Sequence, residues 1–161
     1  MKILFIADFF RDQLLGGGES NDNNLINFLI QKGCVVCKKN CNLVTTEDVQ
    51  SYKNIIVGNF ISLSEDIKNA LIKRKNYIIY EHDHKYISTR DPSKFVNFDI
   101  PKRNIVNKQF YENAQRVVVL SEVCKKILTS CIPKAKVHNI GCSLWAPDTL
   151  NFIRRLQGVK K

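Results

Sequence analysis

Short apolar runs alternate with amphipathic segments along the whole chain, which is the pattern of a parallel β-sheet covered by helices. The apolar runs predict six strands, at residues 2–7, 34–38, 54–58, 77–80, 116–120 and 136–140. We therefore expect an α/β fold, a doubly wound and mostly parallel sheet with helices on both faces. Such sheets bind ligands beyond the carboxyl ends of their strands.

Helical periodicity and capping residues predict the segments between the strands. The first helix spans 19–32, with its apolar side at residues 25, 26 and 28–30 and with Gly33 as its stop. A capping box at 62–65 predicts a helix to about Arg74, and Pro101 suits the first turn of a helix to Ala114. Ser121 predicts the cap of a helix to about residue 131. A last helix is built on Leu150, Phe152, Ile153 and Leu156.

Composition favours one domain with a real core, since 44% of the 161 residues are hydrophobic. The apolar runs are too short to cross a bilayer or to form the core of a signal peptide. The expected location is the cytoplasm, or the inner face of the membrane if the chain binds there peripherally.

Cys34, Cys37 and Cys41 are spaced like metal ligands, but no nearby fourth ligand completes a zinc set, so core thiols and no metal are expected.

The net charge of +10 is concentrated in the last part of the chain. Residues 101–161 carry 12 Lys and Arg against 3 Asp and Glu, whereas residues 1–100 are nearly balanced. A basic surface attracts phosphates, anionic membranes, nucleic acids or acidic partners. A solvated surface that only keeps the chain soluble is the alternative.

Three consecutive glycines, Gly16, Gly17 and Gly18, follow the first strand and precede the first helix. Glycine lets a ligand approach the backbone closely, and the free amides and dipole of a helix N-terminus favour an anion. The spacing is neither a G-x-G-x-x-G fingerprint nor a P-loop, because no Gly-Lys-Ser/Thr follows. We favour ligand contact at this loop over a flexible loop that binds nothing.

A dense polar cluster follows the fourth predicted strand. It comprises Glu81, His82, Asp83, His84 and Lys85, with Arg90 and Lys94 shortly after. His82 can act as a base or charge stabiliser near neutral pH, and Asp83 or Glu81 would orient it. Arg90 and Lys94 suit a phosphate or a carboxylate. A metal at His82 and His84 lacks a third ligand, and a solvated turn is the remaining alternative.

In this order the sequence resembles the N-terminal, acceptor-side domain of family-four-type, retaining glycosyltransferases of the GT-B fold. The similar segments are MKILFI at 1–6 leading to GGGE at 16–19, YIIYEHD at 77–83, YENAQRVVVLS at 111–121 and VHNIGC at 137–142. The resemblance covers about residues 1–145. It implies that these residues form a Rossmann-like domain, half of a GT-B fold.

The resemblance implies sugar transfer from a nucleotide-activated donor, with the glycine loop beside the diphosphate and the acceptor. With the polar cluster included, the catalytic candidates are His82 and Asp83. The candidates for binding substrate or phosphate are Gly16, Gly17, Gly18, Glu19, Asn59, His84, Arg90, Lys94 and Ser121. Many members of the family have a histidine at the position of Asn59, and an amide cannot exchange protons as imidazole does.

The donor-binding domain of the family would follow residue 145, but here 146–161 predict only a crossover helix and a basic tail. The resemblance therefore implies an enzyme that is incomplete as this chain alone, with the nucleotide-sugar as substrate and no cofactor. A fragment, a natural chain that pairs with a separate donor-binding chain, and a domain that has lost transfer all remain open.

The expected partners are a sugar, glycan or lipid-linked acceptor, a separate donor-binding domain or chain, and an anionic membrane surface. The alternative function is a non-catalytic module that pairs with a donor-binding chain. Nucleic acid is not expected, because the sequence has no recognised reader motif and predicts no basic stripe with aromatic residues.

Overall fold

The computed structural model describes residues 1–157, which form a six-stranded sheet with helices on both faces. The strands are β1 (Lys2–Ala7), β2 (Val35–Asn40), β3 (Asn54–Val57), β4 (Tyr77–Tyr80), β5 (Arg116–Val119) and β6 (Val137–Asn139). They lie in the order β2-β1-β3-β4-β5-β6, and every neighbouring pair is parallel. The expected α/β class is confirmed, and each strand lies within two residues of its predicted bounds.

Within residues 1–157, six α-helices connect and flank the strands. They are α1 (Gly17–Gln31), α2 (Thr46–Ser51), α3 (Glu65–Arg74), α4 (Lys108–Asn113), α5 (Glu122–Cys131) and α6 (Pro147–Gln157). The main core joins one face of the sheet to α2, α3, α4 and α5, and a smaller cluster of Phe5, Ala7, Phe10 and Ile26 lies between the other face and α1. The second face is therefore covered mainly at β1 and its neighbours.

The first helix buries polar side chains in its N-terminal half, and its predicted apolar side is buried only in part, at Ile26 and beside Leu25. Its buried residues are Glu19, Asn21, Asp22 and Ile26, whereas Phe28 and Ile30 are 52% and 51% exposed. The predicted stop is confirmed, since Gly33 has a φ of +81° and its amide donates to the Ile30 carbonyl. The N-terminal half of α1 therefore presents polar side chains, rather than apolar ones, to the interior.

Two local predictions are wrong in detail. Ser64 rather than Ser62 caps α3, by accepting from the Ile67 amide, while the amide and hydroxyl of Ser62 donate to the Asp8 carboxylate. The predicted helix over 101–114 is broken, because Asn107 has a left-handed φ of 52° and α4 begins only after it. The residues before the break form a single 3-10 turn at Lys102–Asn104.

The predicted tail helix forms as α6, but none of its residues is buried. Leu150, Phe152, Ile153 and Leu156 are each between 40% and 60% exposed. Residues 158–161, the end of the predicted basic tail, lie outside the described residues. No helix within residues 1–157 is both long and apolar enough to cross a bilayer.

Candidate functional site

A cleft of about 890 Å³ opens at the carboxyl edge of the sheet. One wall is the N-terminal half of α1, and another is the turn that follows β4. The third wall consists of residues 143–146, which lead into α6, and of Thr149 in its first turn. In the sheet, β2 lies on one side of β1 and β3 lies on the other, so the order of the strands reverses at β1. The helix α1, which follows β1, begins at this point. Open α/β sheets bind their ligands at such a point.

The three glycines line this cleft. Gly16 is the N-cap of α1 and has no side chain to cap it, while the buried carboxylate of Glu19, which does not line the cleft, packs against Gly16. No side chain within residues 1–157 accepts a hydrogen bond from the amides of Gly17 and Gly18, which leaves them to a ligand or to water. A Cβ at Gly17 would meet nothing within 4 Å, and a Cβ at Gly18 would lie 3.8 Å from the His82 ring. The glycine loop and the imidazole therefore face the same cleft.

Asp22, rather than Asp83 or Glu81, contacts the ring of His82. His82 Nε2 lies 2.7 Å from Asp22 Oδ1, and the two side chains are only 5% and 2% exposed. The Tyr80 ring meets His82 edge to face, with centroids 4.6 Å apart. Asp83 is exposed and lines the cleft, with its amide donating to Glu81.

Sequence reasoning missed Asp22 because it lies inside α1, well past the end of β1 along the chain, among the polar residues of that helix. Its signal would have been an acidic residue one turn after the glycines, placed to face the strand ends. The sequence also missed Arg11, whose Nη1 donates to Ser20 Oγ at 3.1 Å and which lines the cleft beside the glycines. A guanidinium there is suited to an anionic ligand.

Side-chain amides of α1 hold the third wall of the cleft. The Leu144 amide donates to Asn21 Oδ1 at 3.2 Å, and Asn24 Nδ2 donates to the Leu144 carbonyl at 2.8 Å. The Tyr80 hydroxyl also donates to Asn21 Oδ1. Burial, reinforced by the nearby Asp22 carboxylate, raises the pKa of Tyr80, so this hydroxyl remains a donor. These contacts fix the segment that leads into α6.

Glu81 serves the fold rather than the cleft. It is buried and accepts from the Lys85 ammonium at 3.1 Å, from the Tyr111 hydroxyl and from two backbone amides. Burial acts to raise the pKa of Glu81, but the Lys85 charge and these hydrogen bonds prevail and hold it below its ordinary value. The pair closes the turn after β4 and so positions His82.

The other predicted residues lie outside the cleft. His84 Nδ1 lies 2.8 Å from the Tyr86 hydroxyl, and burial lowers the pKa of His84. Ser121 caps α5 by accepting from the Cys124 amide, and Arg90 lines a separate pocket of about 300 Å³. Lys94 is exposed in a 3-10 turn. Asn59 follows β3, and its backbone carbonyl accepts from the Asp8 amide.

An apolar groove of about 590 Å³ adjoins the cleft on the partly covered face of the sheet. Its floor is Ile56, Ile78 and Val118, and it shares Asn24 and Trp145 with the cleft.

Of the cysteines predicted to lie in the core, Cys41 is buried and Cys37 is exposed. Residues 1–157 contain no group of three His, Cys, Asp or Glu side chains placed to hold a metal ion.

No protein-family model matches the sequence, and no curated protein matches it. Among solved structures, the chain is similar to a flavodoxin from Streptococcus pneumoniae TIGR4, with 17% sequence identity and a TM-score of 0.39. The alignment covers 98% of this chain and 92% of that one. The likeness is confined to the parallel α/β fold and supports no functional inference.

Proposed function

We propose that this chain is the acceptor-side domain of a glycosyltransferase of the GT-B type, which uses a nucleotide-activated sugar as donor. One observation carries the proposal: the glycine loop of α1 and His82, whose ring contacts the buried Asp22, line a single cleft at the carboxyl edge of the sheet. The order of motifs in the sequence supports it, but the fold alone does not, because many activities share this fold.

The cleft has the groups that such a transfer requires. The free amides of Gly17 and Gly18 and the guanidinium of Arg11 are suited to the charge on a departing diphosphate. His82 is placed to orient a hydroxyl of the donor or of the acceptor. Asn23 and Asn27, which also line the cleft, offer amide donors and acceptors of the kind that sugar hydroxyls need.

The proposal is tested first by binding. We expect at least one of UDP-glucose, UDP-N-acetylglucosamine and GDP-mannose to bind this chain in calorimetric titrations, with Arg11→Gln weakening the binding at least about tenfold. Arg103→Gln, which removes the same charge from an exposed turn outside the cleft, should leave affinity unchanged. Equal affinities for both variants would contradict the assignment of the anion site.

Transfer itself is tested with a donor-binding unit added. The unit to try is the protein segment encoded after Lys161, or the product of a neighbouring gene, supplied together with this chain. We expect labelled sugar to move to an acceptor only when both parts are present. Transfer that does not depend on this chain would refute the proposal.

A non-catalytic partner module is the second candidate, and one observation favours it. The apolar side chains of α6 and the groove beside the cleft are exposed, as in a surface that meets another protein. Stable association with a donor-binding chain, without any transfer by the complex and with no effect of His82→Gln, would favour this candidate over the enzyme.

A further inference from the structure

The buried pair of His82 and Asp22 joins the first helix to the turn after β4. Within residues 1–157, Asp22 accepts no hydrogen bond other than the one from the His82 ring. An ionised carboxylate is an acceptor only, and burying it without a partner is costly. The proton between the two groups therefore belongs on Nε2 of the imidazole.

Gly58, directly after β3, leaves room for Asp22 in this position. A Cβ at Gly58 would lie 2.5 Å from Asp22 Oδ2 and 3.1 Å from Asp22 Cγ, which is closer than atoms can pack. The carboxylate thus occupies the space that any larger residue would need. The backbone at Gly58 and the ring of His82 therefore flank the carboxylate on two sides.

The second ring nitrogen of His82 is accessible to a ligand. His82 lines the cleft, and no protein group within residues 1–157 hydrogen-bonds to Nδ1. Nδ1 is also not among the buried polar atoms that lack a partner in the described part of the chain, residues 1–157, which are Asn59 Oδ1 and Asn76 Oδ1. It is therefore reached by solvent through the cleft.

We infer that Asp22 is a positioning residue that holds His82 as the Nε2–H tautomer, so that Nδ1 accepts a hydrogen bond from a ligand hydroxyl. This gives the cleft a polarity: the anionic part of a ligand lies at Arg11 and the glycine amides, and a neutral hydroxyl lies at His82. The inference deepens the proposed function and rests on it only for the identity of that hydroxyl as one of a sugar.

The tautomer is measured directly from the ring nitrogen resonances of ¹⁵N-labelled protein at mildly alkaline pH. The chain has 3 histidines, so the signals of His82 are identified by their loss in His82→Gln. We expect a protonated Nε2 and an unprotonated Nδ1 in the wild type. Asp22→Asn and Gly58→Ala should each shift these signals toward a mixture of tautomers, because both disturb the carboxylate contact.

Asp66→Asn is the matched control, since it makes the same change of charge at an exposed position of α3. It should leave the His82 signals unchanged. A protonated Nδ1 in the wild type would overturn the inference whether or not the variants fold. So would wild-type signals in both Asp22→Asn and Gly58→Ala.

A titration with UDP-glucose, UDP-N-acetylglucosamine and GDP-mannose separates this inference from the proposed function. If none of the three perturbs the His82 ring while the wild type has the Nε2–H tautomer, the inference stands and the choice of a nucleotide-sugar ligand fails. If one of them perturbs the ring while the wild type has the Nδ1–H tautomer, the nucleotide-sugar ligand is supported and the tautomer inference fails.

Discussion

The substitution Gly58→Ala tests the packing behind the candidate site more severely than its small size suggests. The added methyl group would lie 2.5 Å from Asp22 Oδ2, whereas ordinary contacts begin near 3.4 Å. If Asp22 stays in place, the overlap costs roughly 1–3 kcal/mol of unfolding free energy. If it moves away, it loses its charge-assisted hydrogen bond with His82, worth roughly 1.5–3 kcal/mol.

The side chain takes the less costly of these two responses, and the alanine gains about 0.4–1 kcal/mol by restricting the unfolded chain. We therefore expect a net loss of about 1–2 kcal/mol in unfolding free energy, measured by urea denaturation with linear extrapolation. Gly17→Ala is the matched control, because its Cβ would meet nothing within 4 Å. It should be neutral or stabilising by up to about 1 kcal/mol. Equal stabilities for the two variants would refute the reasoning.

Three further outcomes concern the fold around the site. Lys85→Met leaves the buried Glu81 without its cation and should cost roughly 3–5 kcal/mol of unfolding free energy at neutral pH. Because the wild-type pKa of Glu81 is depressed, the stabilisation from its ionised form is present above the ordinary carboxyl pKa and is lost as pH falls through the lower folded pKa. The loss of unfolding free energy in Lys85→Met should therefore become smaller in acid. A loss that does not change with pH would contradict this expectation. Leu156→Gln in the exposed α6 should change the unfolding free energy by less than about 0.5 kcal/mol, whereas Leu128→Ala in the core should cost roughly 2–5 kcal/mol, both by urea denaturation.

The sheet and most helix ends could be predicted from the sequence, because local chemistry decides them. Strands such as Lys2–Ala7 are continuous apolar runs that suit a sheet covered on both faces. Ser121 caps α5 and Gly33 ends α1 as expected, since each acts on backbone groups within four residues of itself. The short helix α2, behind its capping box of Thr45 and Asp48, has the same kind of signal and was missed.

The contacts that define the candidate site could not be predicted, because they join residues far apart in sequence. The sequence placed Asp83 and Glu81 beside His82 by proximity along the chain, but the fold turns Glu81 toward Lys85 and brings Asp22 to the ring instead. The sequence likewise predicts Ser62 as a local helix cap, whereas in the fold its hydroxyl donates to the Asp8 carboxylate. Burial of charge selects these partners, and burial depends on the assembled sheet.

Mapping a nucleotide-sugar onto the chain shows whether the glycine loop and His82 form one binding site. Amide and ring resonances of the ¹⁵N-labelled protein would be followed while UDP-glucose, UDP-N-acetylglucosamine and GDP-mannose are added in turn. We expect one of them to shift the amides of Gly16, Gly17 and Gly18 together with the ring of His82. Shifts confined to the pocket around Arg90, or no shift with any of the three, would contradict it.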